Sequence, residues 1–190
     1  MDSSAPPTGE PLPLDLVNTR PLNGASRADL LDTPDRLAAW LARQADRLGA
    51  EADGPAPTEA DLAPVRAVRA HTEAALRALL DGRRPPQSAL RGLADAQRAA
   101  PAVLVPDWDG ATVVVAPRRS GPLGTRLAAL LAEAAAALLA DPAVTRVKEC
   151  EADDCVLLFL PAHPRRRWCS PARCGNRTRV ARHYRRHKSP

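Results

Sequence analysis

All four cysteines of this 190-residue chain, Cys150, Cys155, Cys169 and Cys174, fall within 25 positions of one another. They form two close pairs, each with four residues between its members, and 13 residues separate the pairs. A tetrahedral ion asks for this pattern. Each pair supplies two sulfurs from one tight turn, and the intervening loop swings the second turn across to complete the shell. Four thiolates around Zn²⁺ leave a net negative site, so the surroundings must favour deprotonation. Arg165, Arg166, Arg167 and Arg173 bring positive charge close by in sequence. Cys174 precedes Gly175-Asn176 and a helix-compatible run, which places its sulfur near a helix amino end that favours negative charge. Gly175 is expected to let the backbone approach that sulfur. Four thiolates close the coordination shell, so the expected metal is one structural zinc ion. Replacement of one cysteine by His163, His183 or His187, or pairing of the cysteines as disulfides, stays open at this point.

The charge distribution bears on partners. From Cys155 to the last residue there are ten Lys or Arg and no Asp or Glu, leaving 17 basic against 22 acidic residues in 1–154. A segregation this sharp directs the tail towards polyanions, DNA first and RNA second. The plainer alternative is that the basic tail docks on the acidic body. Residues 176–187 are helix-compatible, with Asn176 as a cap and Val180, Ala181 and Tyr184 on one face. The residues expected to contact nucleic acid are Arg165, Arg166, Arg167, Arg177, Arg179, Arg182 and Arg186. Phosphate contacts from such a helix give affinity, and contacts to base edges give sequence choice. Arg177 serves equally well as a counter-charge to the thiolates. Trp168 and Phe159 are expected to form the module's small core.

The elements ahead of the cysteines must carry this tail. Abundant Ala, Leu and Arg with few β-branched runs predict a mainly α chain. Residues 1–13 hold four prolines among small polar residues and are expected to be disordered. Leu14–Arg20 is a short apolar patch. Thr33-Pro34-Asp35 opens a helix with Leu37, Trp40, Leu41 and Leu48 on one face and Gly49 as its stop. A second helix is expected from about Asp61 to Asp81, its start placed late because Pro64 is tolerated only near an amino end. A third covers Gln87 to Ala99. Ala102–Val105, a turn over Pro106–Gly110 and Thr112–Val115 read as one β-hairpin. Pro122 to Ala140 is the strongest helix. No stretch approaches the roughly 20 continuous apolar residues of a membrane span. The polar start lacks the regions of a signal peptide, so the expected location is cytoplasmic, where clustered thiols favour metal over disulfides.

The motifs Arg167-Trp-Cys-Ser170 and Cys174-Gly-Asn-Arg177, followed by the basic helix, resemble the CGNR zinc-finger family. Leu14-Asp-Leu-Val-Asn-Thr19 and Thr33-Pro-Asp-Arg-Leu-Ala-Ala-Trp-Leu41 are similar to the opening motifs of the amino-terminal ABATE region that accompanies that finger. The resemblance covers nearly the whole chain. It implies a helical body over 14–147 and a small treble-clef-like zinc finger over 148–190, and it implies a stress-induced transcription regulator. One departure stands out: Leu160-Pro-Ala-His-Pro164 occupies a loop where family members tend to carry Asp, Ser and Asn.

The function expected is nucleic-acid binding by the finger, as a bacterial-type DNA-binding transcription regulator. RNA binding and a protein-interaction module with a purely structural finger are the alternatives. One finger offers little contact area, so a homodimer would suit specific recognition. Asn18 and Thr19 are the candidates for a ligand pocket in the body, though a buried polar pair that satisfies backbone groups accounts for them equally. The chain has no phosphate-binding glycine loop, nucleophile elbow or paired helical histidines. The reading is therefore not an enzyme.

Overall fold

The computed structural model describes residues 9–23, 26–51 and 54–180. Among the described residues, six α-helices precede the cysteines: α1 (Leu12–Val17), α2 (Pro34–Arg43), α3 (Ala45–Leu48), α4 (Glu59–Leu80), α5 (Gln87–Ala99) and α6 (Leu123–Ala140). Three antiparallel pairs of strands accompany them: β1 (Leu22–Asn23) with β2 (Ser26–Arg27), β3 (Val103–Trp108) with β4 (Val113–Arg118), and β5 (Lys148–Glu149) with β6 (Leu158–Phe159). The chain is mainly α, with one hairpin of substantial length. Helices α4, α5 and α6 pack on one another, and α1 lies across α4 and α6.

The main core joins Leu16, Leu37, Trp40, Leu62, Leu127 and Leu131, among others, so α1, α2, α4 and α6 bury a common apolar centre. Thr33 caps α2 by accepting from the Arg36 N–H at 3.3 Å, with Pro34 in the first turn. Leu37, Trp40, Leu41 and Leu48 are all buried, but the one helix expected here is divided into α2 and α3 at Gln44, whose backbone leaves the helical region (φ −107°, ψ 7°). Gly49 ends α3 at φ +54°, a left-handed conformation that favours glycine. At its amino end α6 passes close against the backbone of α4. A Cβ on Gly124 would lie 2.5 Å from the Asp61 Cα. The Gly124 N–H donates to Asp61 Oδ1 at 2.7 Å, which locks the crossing.

Several expectations are corrected. Helix α4 begins at Glu59, ahead of Asp61, and carries Pro64 inside it. Thr58 and Asp61 form a reciprocal capping box that fixes the earlier start. The disorder expected over 1–13 is not found at Leu12 and Pro13. Leu12 and Pro13 are buried in α1, and buried Asp15 accepts from the N–H groups of Gly9 and Glu10. Residues 1–8 lie outside the described residues. The hairpin strands run to Trp108 and start again at Val113, so the turn is Asp109–Thr112, where Asp109 accepts from the Ala111 and Thr112 N–H groups. Helix α6 is long and apolar enough to cross a membrane by length and composition alone, although Arg126 and Glu133 interrupt its apolar run. Its apolar residues instead face α4 and α5, with Leu127, Leu131 and Ala135 fully enclosed.

A second apolar cluster crosses from the body into the cysteine region. It comprises Leu14, Val17, Leu76, Leu138, Val147 and Leu158. Leu158 enters it from β6, which belongs to the turn that carries the first cysteine pair. The expected boundary near residue 147 therefore runs through a shared core.

Candidate metal centre

Strands β5 and β6 form a short ladder whose loop carries the first pair of sulfurs. The Cys150 N–H donates to the Leu157 carbonyl at 2.9 Å and the Cys155 N–H to the Ala152 carbonyl at 2.9 Å, which folds residues 150–157 into a tight knuckle. The second pair is set by a different device. Ser170 accepts from the Arg173 N–H at 3.3 Å and opens a wide helical turn, Pro171–Gly175, from which residues 176–180 continue as a helix. Cys169 lies just before this turn and Cys174 within it.

These two turns bring the four Sγ atoms to within 4.8 Å of one another. The Cys155–Cys169 pair stands at 3.8 Å and the Cys169–Cys174 pair at 3.5 Å. Four sulfurs at zinc–thiolate bond length around a tetrahedral ion lie about 3.8 Å apart. The donor set therefore fits a closed tetrahedral zinc shell. Its acid–base chemistry fits as well. Hydrogen bonds from the Cys155 and Cys169 thiols hold the Cys150 thiol down to about 2, despite burial. The same contact with Cys150 pushes Cys155 up to about 12 and raises Cys169 further. Sulfurs this close resist ionising together unless a cation sits among them. Zn²⁺ supplies that charge, and the cluster forms one structural zinc site.

The shell around the sulfurs is built from backbone donors and one guanidinium. The Cys169 N–H points at Cys150 Sγ (3.4 Å) and Arg177 reaches Cys174 Sγ (3.6 Å). Arg177 also pairs with Asp154 at 2.7 Å. Beneath them, Phe159 is fully enclosed and Trp168 packs against the cysteines, the small core expected of both. The Arg166 guanidinium lies 4.5 Å from the Phe159 ring centre, and that of Arg167 lies 5.5 Å from the Trp168 ring centre. A Cβ at Gly175 would meet Trp168 Cε3 at 3.5 Å, ordinary van der Waals contact. His163 is exposed, accepts from the Arg165 N–H, and stands apart from the sulfurs. His183 and His187 lie outside the described residues.

The arginines divide into two groups. Arg166 pairs with Glu10 at 2.6 Å and donates to the Trp168 carbonyl, Arg167 pairs with Glu151, and Arg177 pairs with Asp154. Among the described residues, Arg165 is exposed with no ion pair, and Arg179 is exposed and bonded to the Asn176 side chain. Arg182 and Arg186 lie outside the described residues. A cavity of about 260 Å³ opens beside the cysteines, lined by Leu22 of β1 and by Asp154, Arg173 and Arg177.

Asn18 and Thr19 do not line that cavity. Asn18 is buried and makes a two-way pair with the Leu158 backbone: its Nδ2 donates to the Leu158 carbonyl and its Oδ1 accepts from the Leu158 N–H, both at 2.8 Å. Thr19 donates to the Leu16 carbonyl and accepts from Arg69, which is clamped on Asp29. Asn18 thus acts as a strand-like partner for β6 and docks the metal module on α1. Two further tethers went unforeseen. Glu10 accepts from the Leu160 N–H at 2.9 Å as well as from Arg166. Arg77 of α4 pairs with Glu149 at 2.6 Å and donates to the Val156 carbonyl. No local pattern marks these residues, because each meets its partner across more than 70 positions of sequence.

Two family descriptions match the chain. The ABATE family, described as "putative stress-induced transcription regulator", matches residues 10–142, and the CGNR zinc finger matches residues 146–187. No curated protein matches it. With that match spanning most of the chain, and four clustered sulfurs in the finger that follows, the protein belongs to the ABATE family and carries a CGNR zinc finger.

Proposed function

We propose that the protein is a DNA-binding transcription regulator in which the zinc finger presents a basic helix to the duplex. The observation that carries this reading is the exit of the helix: it leaves the zinc-ligating turn at residue 176 and heads a segment without acidic residues. The metal fixes the direction of that helix, because Cys174 lies one turn before it. Arg179 is exposed at its start and Arg165 on the preceding loop, and both guanidinium groups are available to phosphates or guanine edges. Arg182 and Arg186 extend the same segment. Arg166, Arg167 and Arg177 are already paired with carboxylates, so their role in this reading is to brace the finger, with phosphate contact only on exchange of partners. The body supplies a rigid mount through Asn18, Glu10 and Arg77.

Selection of the zinc-loaded protein on a random duplex library, repeated across salt concentrations, tests the reading. An enriched motif is expected, and replacing Arg179, Arg182 and Arg186 by Ala should abolish it. Each lost phosphate contact should lower the salt slope by about one. Preference for RNA in direct competition would replace DNA as the ligand. The ion pairs to Glu10, Glu151 and Asp154 favour a second reading, in which the finger is an interaction and stability module whose charge is partly satisfied inside the chain. Non-saturable binding that vanishes near physiological salt would support that second reading instead.

A further inference from the structure

The β3–β4 hairpin has more exposed apolar surface than any other part of the described chain, and its two faces differ. Pairing of Trp108 with Val113, Pro106 with Val115 and Leu104 with Pro117 puts these six residues on one face. None is charged. Leu104, Trp108, Val113 and Val115 are 69%, 62%, 65% and 56% exposed. The opposite face carries Asp107 and Arg118 among its residues; its Val105 and Val114 are more covered, at 41% and 40%, while Val103, paired with Arg118 at the open end, is 60% exposed. A lone two-stranded hairpin is marginal in water, and one with an uncovered apolar face is more so.

The ladder also dictates how another molecule approaches. The Asp109 N–H donates to the Thr112 carbonyl at 3.2 Å, which fixes 109–112 as a hydrogen-bonded pair. By alternation, the pairs 108–113, 106–115 and 104–117 are the non-hydrogen-bonded set, whose N–H positions face the two free edges. Pro106 and Pro117 belong to that set, one on each strand. Each removes an outward donor, so both edges are blunted against strand addition while the apolar face stays open.

We propose that this face is a homodimer contact, in which the hairpins of two copies stack face to face across a two-fold axis. A face without charge is complementary to itself under such an axis, and the contact is closed rather than filament-forming. It exposes on the order of 500 Å², at the upper end of what ordinary monomers carry. Two stacked copies bury about 1,000 Å², the threshold of a specific interface. The segments outside the described residues do not compete for it. Residues 1–8 are small, polar and Pro-rich, and residues 181–190 are dominated by Arg, His and Lys. The dimer carries two zinc fingers in one assembly. The inference stands on the hairpin alone and survives whichever nucleic acid the finger prefers.

Sedimentation velocity on the full zinc-loaded chain over a concentration series tests it, with helicity checked by circular dichroism. The wild-type chain should sediment as a dimer. Leu104→Asp and Val115→Asp act twice across the axis and should each raise the dimer dissociation constant on the order of 100-fold or more. Val103→Asp, on the opposite face and 60% exposed, should change it only a few-fold. A wild-type chain that stays monomeric overturns the proposal and points to a different protein as occupant. A dimer indifferent to Leu104→Asp and Val115→Asp, or equally sensitive to Val103→Asp, overturns it as well.

Discussion

The helical body and the cysteine module both enclose an interior, but they build it from different material. The body's centre is Leu, Val, Ala and Trp40 drawn from several helices, and apolar burial is its main source of cohesion. The module's centre is Cys150, Ala152, Leu157, Phe159, Cys169 and Cys174, so half of its buried members are metal ligands. An interior that small cannot offset the entropy of ordering its loops by burial alone. Its cohesion comes from zinc binding, which acts as folding free energy. The contrast teaches that stability in this chain has two separate sources, joined at one seam where Leu158 and Asn18 meet.

Metal removal should give the largest effect. Chelation of the reduced protein, or Cys174→Ser, is expected to unfold the region around residues 148–180 while α4, α5 and α6 persist. Amide hydrogen exchange resolves the two parts. Protection retained in the module without metal would break the comparison, and loss of protection throughout the body would show a single cooperative unit. Because Leu158 completes a body cluster, the surviving helices should also melt several degrees lower.

Asn18→Ala probes the seam itself. It leaves the buried Leu158 N–H and carbonyl without partners, and should cost about 2–4 kcal/mol in denaturant unfolding. A cost near zero would mean that the module is docked by its metal turn and salt bridges alone. Gly124→Ala, wholly within the body, should cost about 1–3 kcal/mol, since the added methyl meets the Asp61 backbone. Metal content should stay unchanged in that variant, which separates the two sources of stability.

The smallest effect is a pH dependence confined to the body. Burial raises the affinity of Asp29 and Asp61 for protons, but their partners outweigh it and hold both below 3.8. The partners are Arg69 and the Leu31 N–H for Asp29, and Thr58 and the Gly124 N–H for Asp61. A carboxyl depressed by folding contributes stability that is complete above its unfolded value and lost as pH falls through the folded one. Unfolding free energy of the body should therefore be flat from neutrality to about pH 5 and decline below pH 4. Asp61→Asn should lower the plateau and shallow the decline; an unchanged slope would remove Asp61 from the account.

How much was legible beforehand follows from distance along the chain. The Thr33 cap and the extent of α5 are short-range signals, and the structure has them where the residues put them, whereas the break at Gln44 that separates α2 from α3 had no such signal. Pro64 misled, because a proline argues for a nearby helix start and the stronger Thr58–Asp61 box lies one turn earlier. Pro106 likewise read as a turn residue, yet it lies inside β3 on a free edge where its missing donor costs nothing. Asn18 read equally as a pocket residue or as a buried polar group that satisfies backbone, and the Leu158 backbone it meets lies 140 positions away, beyond any local signal.

The sequence by itself determined the helices and the grouping of four cysteines into two turns, because caps, periodicity and ligand spacing act over a few residues. It also determined the charge asymmetry, which is a count. Tertiary structure alone decided that Asn18, Glu10 and Arg77 clamp the module to the body and that three of the finger's arginines are spent on carboxylates. It alone decided that one face of the β3–β4 hairpin stays bare. The clamps join segments more than 70 positions apart that only the packed core brings together, and the pairs of Arg167 and Arg177 with Glu151 and Asp154 need the two cysteine turns folded onto one another.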